Sequence, residues 1–404
     1  MPKHWLGISV LEAARQRIAR VFDDFPRIYV SFSAGKDSGV LLDLACEEAR
    51  RRGRRIGVLF IDLEGQYELT ITYARAMYAR NADVADPYWV ALPLNLRNAV
   101  SQFEPQWCCW EPGREADWIR QPPPMAITDE EYFPFFRRRM EFEEFTPAFS
   151  HWYAGGVRDG KLTCCLVGIR TQESLNRWRS IASRRKSTHE GLQWTTWMGG
   201  PAYNAYPIYD WRTEDIWTYY AKSGCPYNSL YDRMHQAGLT IHQARICQPY
   251  GDDQRKGLWL YQMIEPDTWS RVVARVNGAN FGAIYARETG NVLGRIKVTK
   301  PGHLTWQRFA EILLDSMPPP AAEHYRNKIA VFLRWYRVRG TDPIPDEAPI
   351  AKGSPSWARI CKTLLRHDYW CHGLTFSQTK GEAYRKYTEL MKRRREEWGL
   401  MSSR

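Results

Sequence analysis

Residues 28–38 read IYVSFSAGKDS and decide the fold of this 404-residue chain. A β-branched and aromatic run ends in Ser33-Ala34-Gly35-Lys36-Asp37-Ser38, and an apolar helical pattern follows at once with Val40-Leu41-Leu42. The order is therefore strand, tight loop and helix. Backbone N–H groups and the positive end of the helix dipole converge at such a loop, which suits an anion such as phosphate.

The side chains of this loop suit phosphate as well. Gly35 lets the backbone approach a ligand closely, Lys36 adds a positive charge, and the hydroxyls of Ser33 and Ser38 can donate to phosphate oxygens. The loop is not a Walker A motif, in which Gly-Lys is followed directly by Ser or Thr. The alternative is a serine-rich turn whose lysine contacts only water.

Strand and helix patterns continue to alternate after the loop. They predict strands at residues 27–32, 56–61, 88–92 and 162–169, and helices at 10–22, 38–52, 67–82 and 213–222, the last with Thr213 as N-cap. We therefore predict an α/β fold with a doubly wound parallel sheet and a mainly helical C-terminal region. Ligands of such sheets bind outside the carboxyl ends of the strands.

The length of the chain indicates two domains. We predict a nucleotide-binding domain over residues 1–256, with an insertion at about 103–160 that is rich in aromatic residues and proline. A helical region over residues 257–404 follows, with a proline-rich linker at about 340–356.

Two further candidate positions lie at the same edge of the predicted sheet. Asp62 ends the second strand, where an acid can bind ribose hydroxyls. The alternative is an aspartate that caps the next turn. Gly168-Ile169-Arg170 leaves the strand at 162–169, and the planar guanidinium of Arg170 suits phosphate.

The loop resembles the pyrophosphate loop, Ser-Gly-Gly-x-Asp-Ser, of the adenine-nucleotide alpha-hydrolase superfamily, with Ala34 in place of the usual glycine. Together with residues 168–174, 206–211 and 226–231, it is similar to the phosphoadenosine-phosphosulfate (PAPS) reductase family. Residues 108–110, 245–251 and 355–357 further resemble one branch, which is similar to the immunoglobulin-binding regulator A coactivators.

The resemblance implies an adenine-nucleotide site. Its expected nucleotide-binding residues are Ser33, Ala34, Gly35, Lys36, Asp37, Ser38, Asp62, Gly168 and Arg170, and its expected catalytic residues are Lys36, Asp37 and Arg170. The implied activity is cleavage of ATP between the α- and β-phosphates, with Mg²⁺ bound through the phosphates, release of pyrophosphate and adenylylation of an unknown acceptor. The alternatives are reduction of PAPS or adenylyl sulfate (APS) by Cys371, and nucleotide sensing without turnover beside a partition-protein-B-like partner.

The nine cysteines predict reduced thiols. The chain shows neither a leader pattern nor an apolar run long enough to span a membrane, so we expect a cytoplasmic protein without membrane contact. The cysteines lack the Cys-x2–4-Cys spacing of zinc and iron–sulfur sites, so we expect neither, although the sequence leaves both open. Cys164 and Cys165 are expected to face opposite sides of one strand. The roles of Cys108, Cys109, Cys164, Cys165, Cys247 and Cys371 stay open.

The net charge of +12 predicts an acidic partner, either a nucleotide or a nucleic acid. Basic runs lie at residues 50–55, 137–139, 184–186 and 392–395. We expect weak, sequence-independent binding of nucleic acid with the run at 392–395 as one contact. The alternative for each run is a solvated helix face.

Overall fold

In the computed structural model the chain forms two compact units, residues 1–100 with 106–284 and residues 101–105 with 285–404. The structure describes residues 7–101, 104–155, 161–183, 185–246, 257–279, 300–317, 319–338, 343–347, 354–366, 368 and 371–374. Among the helices in these ranges, none combines the length and the apolar character that crossing a membrane requires.

The first unit is built on a six-stranded sheet. Its strands are β1 Arg27–Ser31, β2 Ile56–Ile61, β3 Ala85–Val90, β6 Thr163–Val167, β7 Thr195–Gly199 and β8 Ala202–Ala205. Their order across the sheet is β3-β2-β1-β6-β8-β7, and every neighbouring pair is parallel except β7 with β8. A separate antiparallel ribbon joins β4 Asn95–Arg97 to β5 Gln106–Cys108.

Helices cover both faces of this sheet. They are α1 Val10–Asp24, α2 Lys36–Arg52, α3 Glu68–Arg80, α4 Phe142–Tyr153, α5 Leu175–Ala182, α6 Thr213–Ser223, α7 Leu230–Gln236, α8 Leu258–Ile264 and α9 Pro266–Arg275. Val30 and Cys164 pack with α1, α2, α3 and α6 on one face, whereas Tyr29 and Cys165 pack with α4, α7, α8 and α9 on the other. The predicted doubly wound sheet is thus confirmed, as are the opposite directions of Cys164 and Cys165.

The predicted end of α2 at Arg52 is confirmed, and α6 ends at Ser223, one residue beyond its predicted end. Gly53 and Gly224 follow α2 and α6 in the left-handed region, with φ of 62° and 67°. The prediction of Thr213 as N-cap is wrong by one residue, because Thr213 already belongs to α6 and Arg212 is its N-cap. The Asp215 carboxylate accepts from the Arg212 N–H at 2.7 Å and so fixes this start.

The first unit extends beyond the predicted boundary at residue 256. Leu258 and Tyr261 of α8 and Trp269 and Val272 of α9 belong to the apolar core on the second face of the sheet. The aromatic side chains of the predicted insertion, such as Phe145, fill the same core. Helices α8 and α9, which follow the predicted boundary, therefore complete the core of the first unit.

The second unit contains α10 Trp306–Asp315, α11 Pro319–Arg337, α12 Trp357–Leu365 and a 3₁₀ turn at His372–Leu374. The predicted linker at 340–356 is in part packed rather than free, because Ile344 is buried in the core of this unit. The Asp346 carboxylate accepts from the N–H groups of Trp306 and Gln307 at 3.0 Å each and caps α10. The basic run at 392–395 lies outside the described residues.

The order of the strands reverses between β1 and β6, so the loops that follow these two strands meet there. Gly168, which directly follows β6, lies against the loop that follows β1. A Cβ atom at Gly168 would lie 3.1 Å from the backbone of Asp37 and Ser38. The absent side chain therefore allows the close approach of the two loops on which the candidate site depends.

We expect Gly39→Ala to lower the free energy of unfolding by about 1–3 kcal/mol. A Cβ atom at Gly39 in α2 would lie 2.3 Å from the Tyr73 hydroxyl oxygen and 2.4 Å from that of Tyr220. This clash outweighs the gain of roughly 1 kcal/mol in helix propensity. Denaturant unfolding followed by circular dichroism measures the change. Gly302→Ala, at a position with open space around it, is the control, and equal stability of both variants would contradict the packing described here.

Candidate functional site

Residues 33–38 form a tight loop between β1 and α2. Gly35 is the N-cap of α2, so the N–H groups of the first helical turn, which have no partner within the helix, begin at Lys36. The hydroxyl oxygens of Ser33 and Ser38 lie 3.0 Å apart. Ser38 Oγ also accepts from the Ser33 N–H at 3.2 Å and donates to the Gly35 carbonyl at 3.1 Å. Ser38 therefore closes the loop, and donation from either hydroxyl to phosphate stays a prediction.

Ala34 occupies a backbone conformation that favours glycine. Its φ is 56°, and its side chain is fully buried. The left-handed conformation costs an alanine about 1–2 kcal/mol. Burial of its methyl group returns about 0.8 kcal/mol, so part of the strain is offset.

One carboxylate in this loop binds two cations. Arg170 Nε donates to Asp37 Oδ1 at 2.6 Å, and Lys36 Nζ lies 3.2 Å from Asp37 Oδ2. The side chains of Lys36 and Arg170 are only 5% and 2% exposed. A single negative charge cannot neutralise both, so the group keeps a net positive charge in a buried setting.

The guanidinium of Arg170 is held in one orientation by further contacts. Its Nη1 donates to Gln172 Oε1 at 3.2 Å and to Thr213 Oγ1 and the Trp211 carbonyl at 3.4 Å each. Within the described part of the chain, its other terminal nitrogen, Nη2, makes no hydrogen bond. Gln172 and Thr213 had no predicted part in the site, because their sequence positions show only a loop and a helix start.

Lys36 and Arg170 line a pocket of about 200 Å³. Its other lining residues are Gln172, Glu173, Thr213, Ile241, His242 and Arg245. Three basic side chains and the amino end of α2 therefore meet at one small cavity at the carboxyl edge of the sheet. This combination favours an anionic ligand.

Two residues at the start of α7 hold the loop from the other side. Asn228 Nδ2 donates to the Ala34 carbonyl at 3.1 Å and to Thr70 Oγ1 at 3.0 Å. The Tyr231 hydroxyl accepts from the Lys36 N–H at 3.0 Å, and the Tyr231 ring centre lies 5.2 Å from Lys36 Nζ. Tyr231 thus occupies one of the backbone donors that the sequence assigned to phosphate. The motif at residues 226–231 was visible in the sequence, but its clamping role was not.

Asp62 lies at the end of β2 and is fully buried. Its Oδ2 accepts from Trp89 Nε1 at 2.8 Å, and its Oδ1 accepts from the Glu64 N–H at 3.0 Å and from the Arg120 guanidinium. The carboxylate therefore joins the sheet to the insertion. Its assignment to the nucleoside stays a prediction, and the structure shows this acid engaged with protein groups.

Sequence reasoning missed Glu64, a second buried acid at this strand end. Its carboxylate accepts from Arg275 Nε at 3.0 Å and from the N–H groups of Trp110 at 2.7 Å and Ile119 at 3.1 Å. Burial raises the pKa of the Glu64 carboxyl, and the Arg275 guanidinium opposes this shift. Glu64 thus ties the insertion to α9. The sequence signal that could have identified Glu64 is its position as a second acid two residues after Asp62.

The described cysteines form neither disulfides nor a metal site. Cys46, Cys108, Cys109, Cys164, Cys165, Cys225, Cys361 and Cys371 are free and buried, and Cys247 lies outside the described residues. In the described ranges, the one group of side chains close enough to share a metal ion is Asp24, His189 and Glu190. Arg20 already binds both carboxylates of that group, at 2.6 and 2.5 Å, so it is an ion-pair cluster.

Cys371, the nucleophile of the reductase alternative, belongs to the second unit and is buried. Burial raises the pKa of its thiol to about 12, and the Asp368 carboxylate adds to the shift. Thiolate, the reactive form, is therefore scarce at neutral pH. The environment of Cys371 gives the reductase alternative no support.

Residues 27–238 match the phosphoadenosine phosphosulfate reductase domain family, and residues 238–345 match a domain of unknown function, DUF3440. The chain is 47% identical over 401 residues to the "Uncharacterized protein YbdN" of Escherichia coli strain K12, and the match covers 98% of this chain and 97% of YbdN. It is 30% identical over 115 residues to the adenosine 5'-phosphosulfate reductase of Neisseria meningitidis serogroup B, covering 26% of this chain and 45% of that protein.

Two solved structures are more distantly similar. The phosphoadenylyl-sulfate reductase of Candida auris, in a phosphate complex, is 14% identical with a TM-score of 0.30, and the match covers 54% of this chain and 83% of that one. The FMN adenylyltransferase of Candida glabrata, with FAD and pyrophosphate, is 15% identical with a TM-score of 0.33, covering 55% and 58%. The coactivator branch and its partition-protein-B-like partner stay predictions.

We expect Asn228→Ala to destabilise the first unit by about 1–3 kcal/mol, because it leaves the Ala34 carbonyl and the Leu230 N–H buried without partners. Urea unfolding monitored by tryptophan fluorescence measures the loss. Tyr227→Phe is the matched control from the same motif, since Tyr227 is exposed and, among the described residues, its hydroxyl bonds Asp232 alone. We expect it to change stability by less than about 0.5 kcal/mol. Equal stability of the two variants would mean that Asn228 does not hold the loop.

Proposed function

Because this chain belongs to the phosphoadenosine phosphosulfate reductase domain family, we propose that the pocket beside Lys36 and Arg170 binds the phosphates of an adenine nucleotide. The observation that carries this proposal is the buried pair of cations on one carboxylate, Asp37, at the amino end of α2. Arg245 adds a third positive side chain to the pocket wall. A phosphate chain supplies the negative charge that this group lacks.

The free Nη2 of Arg170 and the ammonium of Lys36 are the proposed phosphate donors. Both groups are already held in place, so binding orders few side chains and loses little conformational entropy. Asp37 acts as a positioning residue, because its contacts aim the two cations and it need not contact the ligand. Charge-assisted hydrogen bonds of this kind contribute roughly 1.5–3 kcal/mol each.

The proposed reaction is cleavage of ATP between the α- and β-phosphates. An acceptor attacks the α-phosphorus in line, and Lys36 and Arg170 neutralise the negative charge on the departing pyrophosphate. Mg²⁺ would supply further charge neutralisation on the phosphates. Glu173, the one carboxylate in the described pocket wall, already binds Arg177 and the Arg170 N–H, and Asp37 nearby binds the two cations, so these groups offer the ion no pair of ligands. The ion would therefore arrive on the phosphates.

The chemistry of the pocket wall favours nucleotide cleavage over reduction. None of the residues that line the described pocket is a cysteine, and reduction of a sulfonucleotide needs a nucleophilic thiol. Adenylyl transfer needs only positioning and positive charge, both of which the pocket has.

We expect Lys36→Ala to weaken ATP binding by about 10- to 100-fold, because it removes a charge-assisted bond to phosphate. Isothermal titration calorimetry measures the affinity, and circular dichroism checks the fold. Arg51→Ala is the matched control from the opposite end of α2, where Arg51 is exposed and paired with Glu48. A Lys36→Ala protein that is folded and binds ATP as tightly as the control would refute the proposed phosphate site.

Labelled ATP tests the position of cleavage. We expect AMP and pyrophosphate, because the loop lacks the Walker serine or threonine that holds Mg²⁺ at the β- and γ-phosphates. Chromatography of the products, with Lys36→Ala protein purified in parallel as the control for contaminating ATPases, decides the result. ADP and orthophosphate that disappear in the Lys36→Ala sample would contradict the proposed reaction. ATP binding without any cleavage would favour the nucleotide-sensing alternative.

A further inference from the structure

Helix α5 leaves almost all of its side chains in solvent. Ile181 is the one residue of this helix that is buried. Leu175 is 60% exposed and Trp178 is 43% exposed. The two residues are three positions apart and therefore lie on the same side of the helix. Two large apolar side chains that are exposed side by side indicate a surface that binds a ligand or a partner molecule.

Two arginines on and beside this helix have no acidic partner among the described residues, whereas Arg177 of the same helix pairs with Glu173. Arg179 and Arg185 make no ion pair with any described residue. Lys186 Nζ, by contrast, is buried 5.6 Å from the ring centre of Tyr206 and adds no charge to the exposed surface. The positive charges of Arg179 and Arg185 are therefore not neutralised by the described part of the chain.

In two of the other basic runs, at residues 50–55 and 137–139, most arginines are paired with acidic residues. Ion pairs join Arg50 to Asp83, Arg51 to Glu48, Arg55 to Asp86, Arg137 to Glu144, Arg138 to Glu130 and Arg139 to Glu111. Acidic residues of the protein therefore balance most of the positive charge of the runs at 50–55 and 137–139. In the run at 184–186, Arg185 makes no ion pair with a described residue, and it follows the exposed Trp178.

The exposed helix begins at the rim of the candidate pocket. Gln172 and Glu173 line the pocket, and Ser174 directly after them is the N-cap of α5. Arg245, another lining residue, donates to the Glu173 carbonyl at 2.6 Å and fixes this connection. A polymer that lies along α5 would therefore have its next unit at the mouth of the pocket.

We propose that the α5 surface, defined by Leu175, Trp178, Arg179 and Arg185, binds single-stranded nucleic acid. An unstacked base can stack on Trp178, and the guanidinium groups bind phosphates of the same strand. A pocket of about 200 Å³ is too small for a duplex, so only a nucleotide that is taken out of a base stack could reach it. An acidic polypeptide would satisfy the charges, but it offers no series of flat rings for the tryptophan. Binding of nucleic acid to the α5 surface does not require the nucleotide site. The functional link between this surface and the pocket rests on the function proposed above.

Fluorescence anisotropy with a labelled oligothymidylate at several salt concentrations tests the proposal. Trp178→Ala should weaken binding by about 5- to 150-fold, as expected for the loss of one stacked base. The double variant Arg179→Ala/Arg185→Ala should flatten the slope of log affinity against log salt by up to about 1.4. The control Arg51→Ala/Arg55→Ala removes the same charge from a neutralised run and should leave affinity and slope unchanged.

Three outcomes would overturn the proposal. They are no binding even at low salt, equal binding by the Trp178→Ala protein and the wild type, and a duplex bound as tightly as the single strand. Competition by polyglutamate without any effect of Trp178→Ala would assign the surface to an acidic protein instead. ATP affinity, measured in the same proteins, should be unchanged by Trp178→Ala. A failure at this surface is therefore distinguishable from a failure of the nucleotide site.

Discussion

The carboxylate of Asp37 joins the two loops that meet where the order of the strands reverses. It binds Lys36, the first residue of α2, and Arg170, which follows β6. Charges buried this deeply cost several kcal/mol each unless they are paired, so neither cation is stable there without the carboxylate. Gly168 makes the contact possible, because any side chain there would press on the backbone of Asp37. The candidate site therefore depends on one small acid and one absent side chain.

A second buried ion network lies at the end of the neighbouring strand and behaves differently. Asp62 and Glu64 bind Arg120 and Arg275, so two carboxylates face two guanidinium groups. This network is balanced, and it fixes the insertion and α9 to the sheet. The group around Asp37 has one carboxylate for two cations. Because the group around Asp37 has an excess of positive charge, we assign the anionic ligand to it. The balanced network of Asp62 and Glu64 is assigned a structural role.

The parts of the fold that could be predicted from the sequence are those that depend on residues close together in the chain. The β-branched and aromatic run before residues 33–38 and the apolar helical pattern after them were sufficient to predict β1, the loop and α2. The short strands β7 and β8 were missed, because Thr-Thr-Trp-Met-Gly and Ala-Tyr-Asn-Ala lack an apolar run and form only by pairing with a sheet that already exists. The clamp by Asn228 and Tyr231 was missed for a related reason: it joins residues almost two hundred positions apart, at distances that no local pattern encodes.

The most direct test of the account is a crystal structure of the chain with α,β-methylene ATP, which cannot be cleaved between its α- and β-phosphates. We expect phosphate oxygens within hydrogen-bond distance of Lys36 Nζ and Arg170 Nη2, with Asp37 still bound to both cations. Phosphates bound elsewhere on the chain, with the pocket between Lys36 and Arg245 left without ligand, would contradict it.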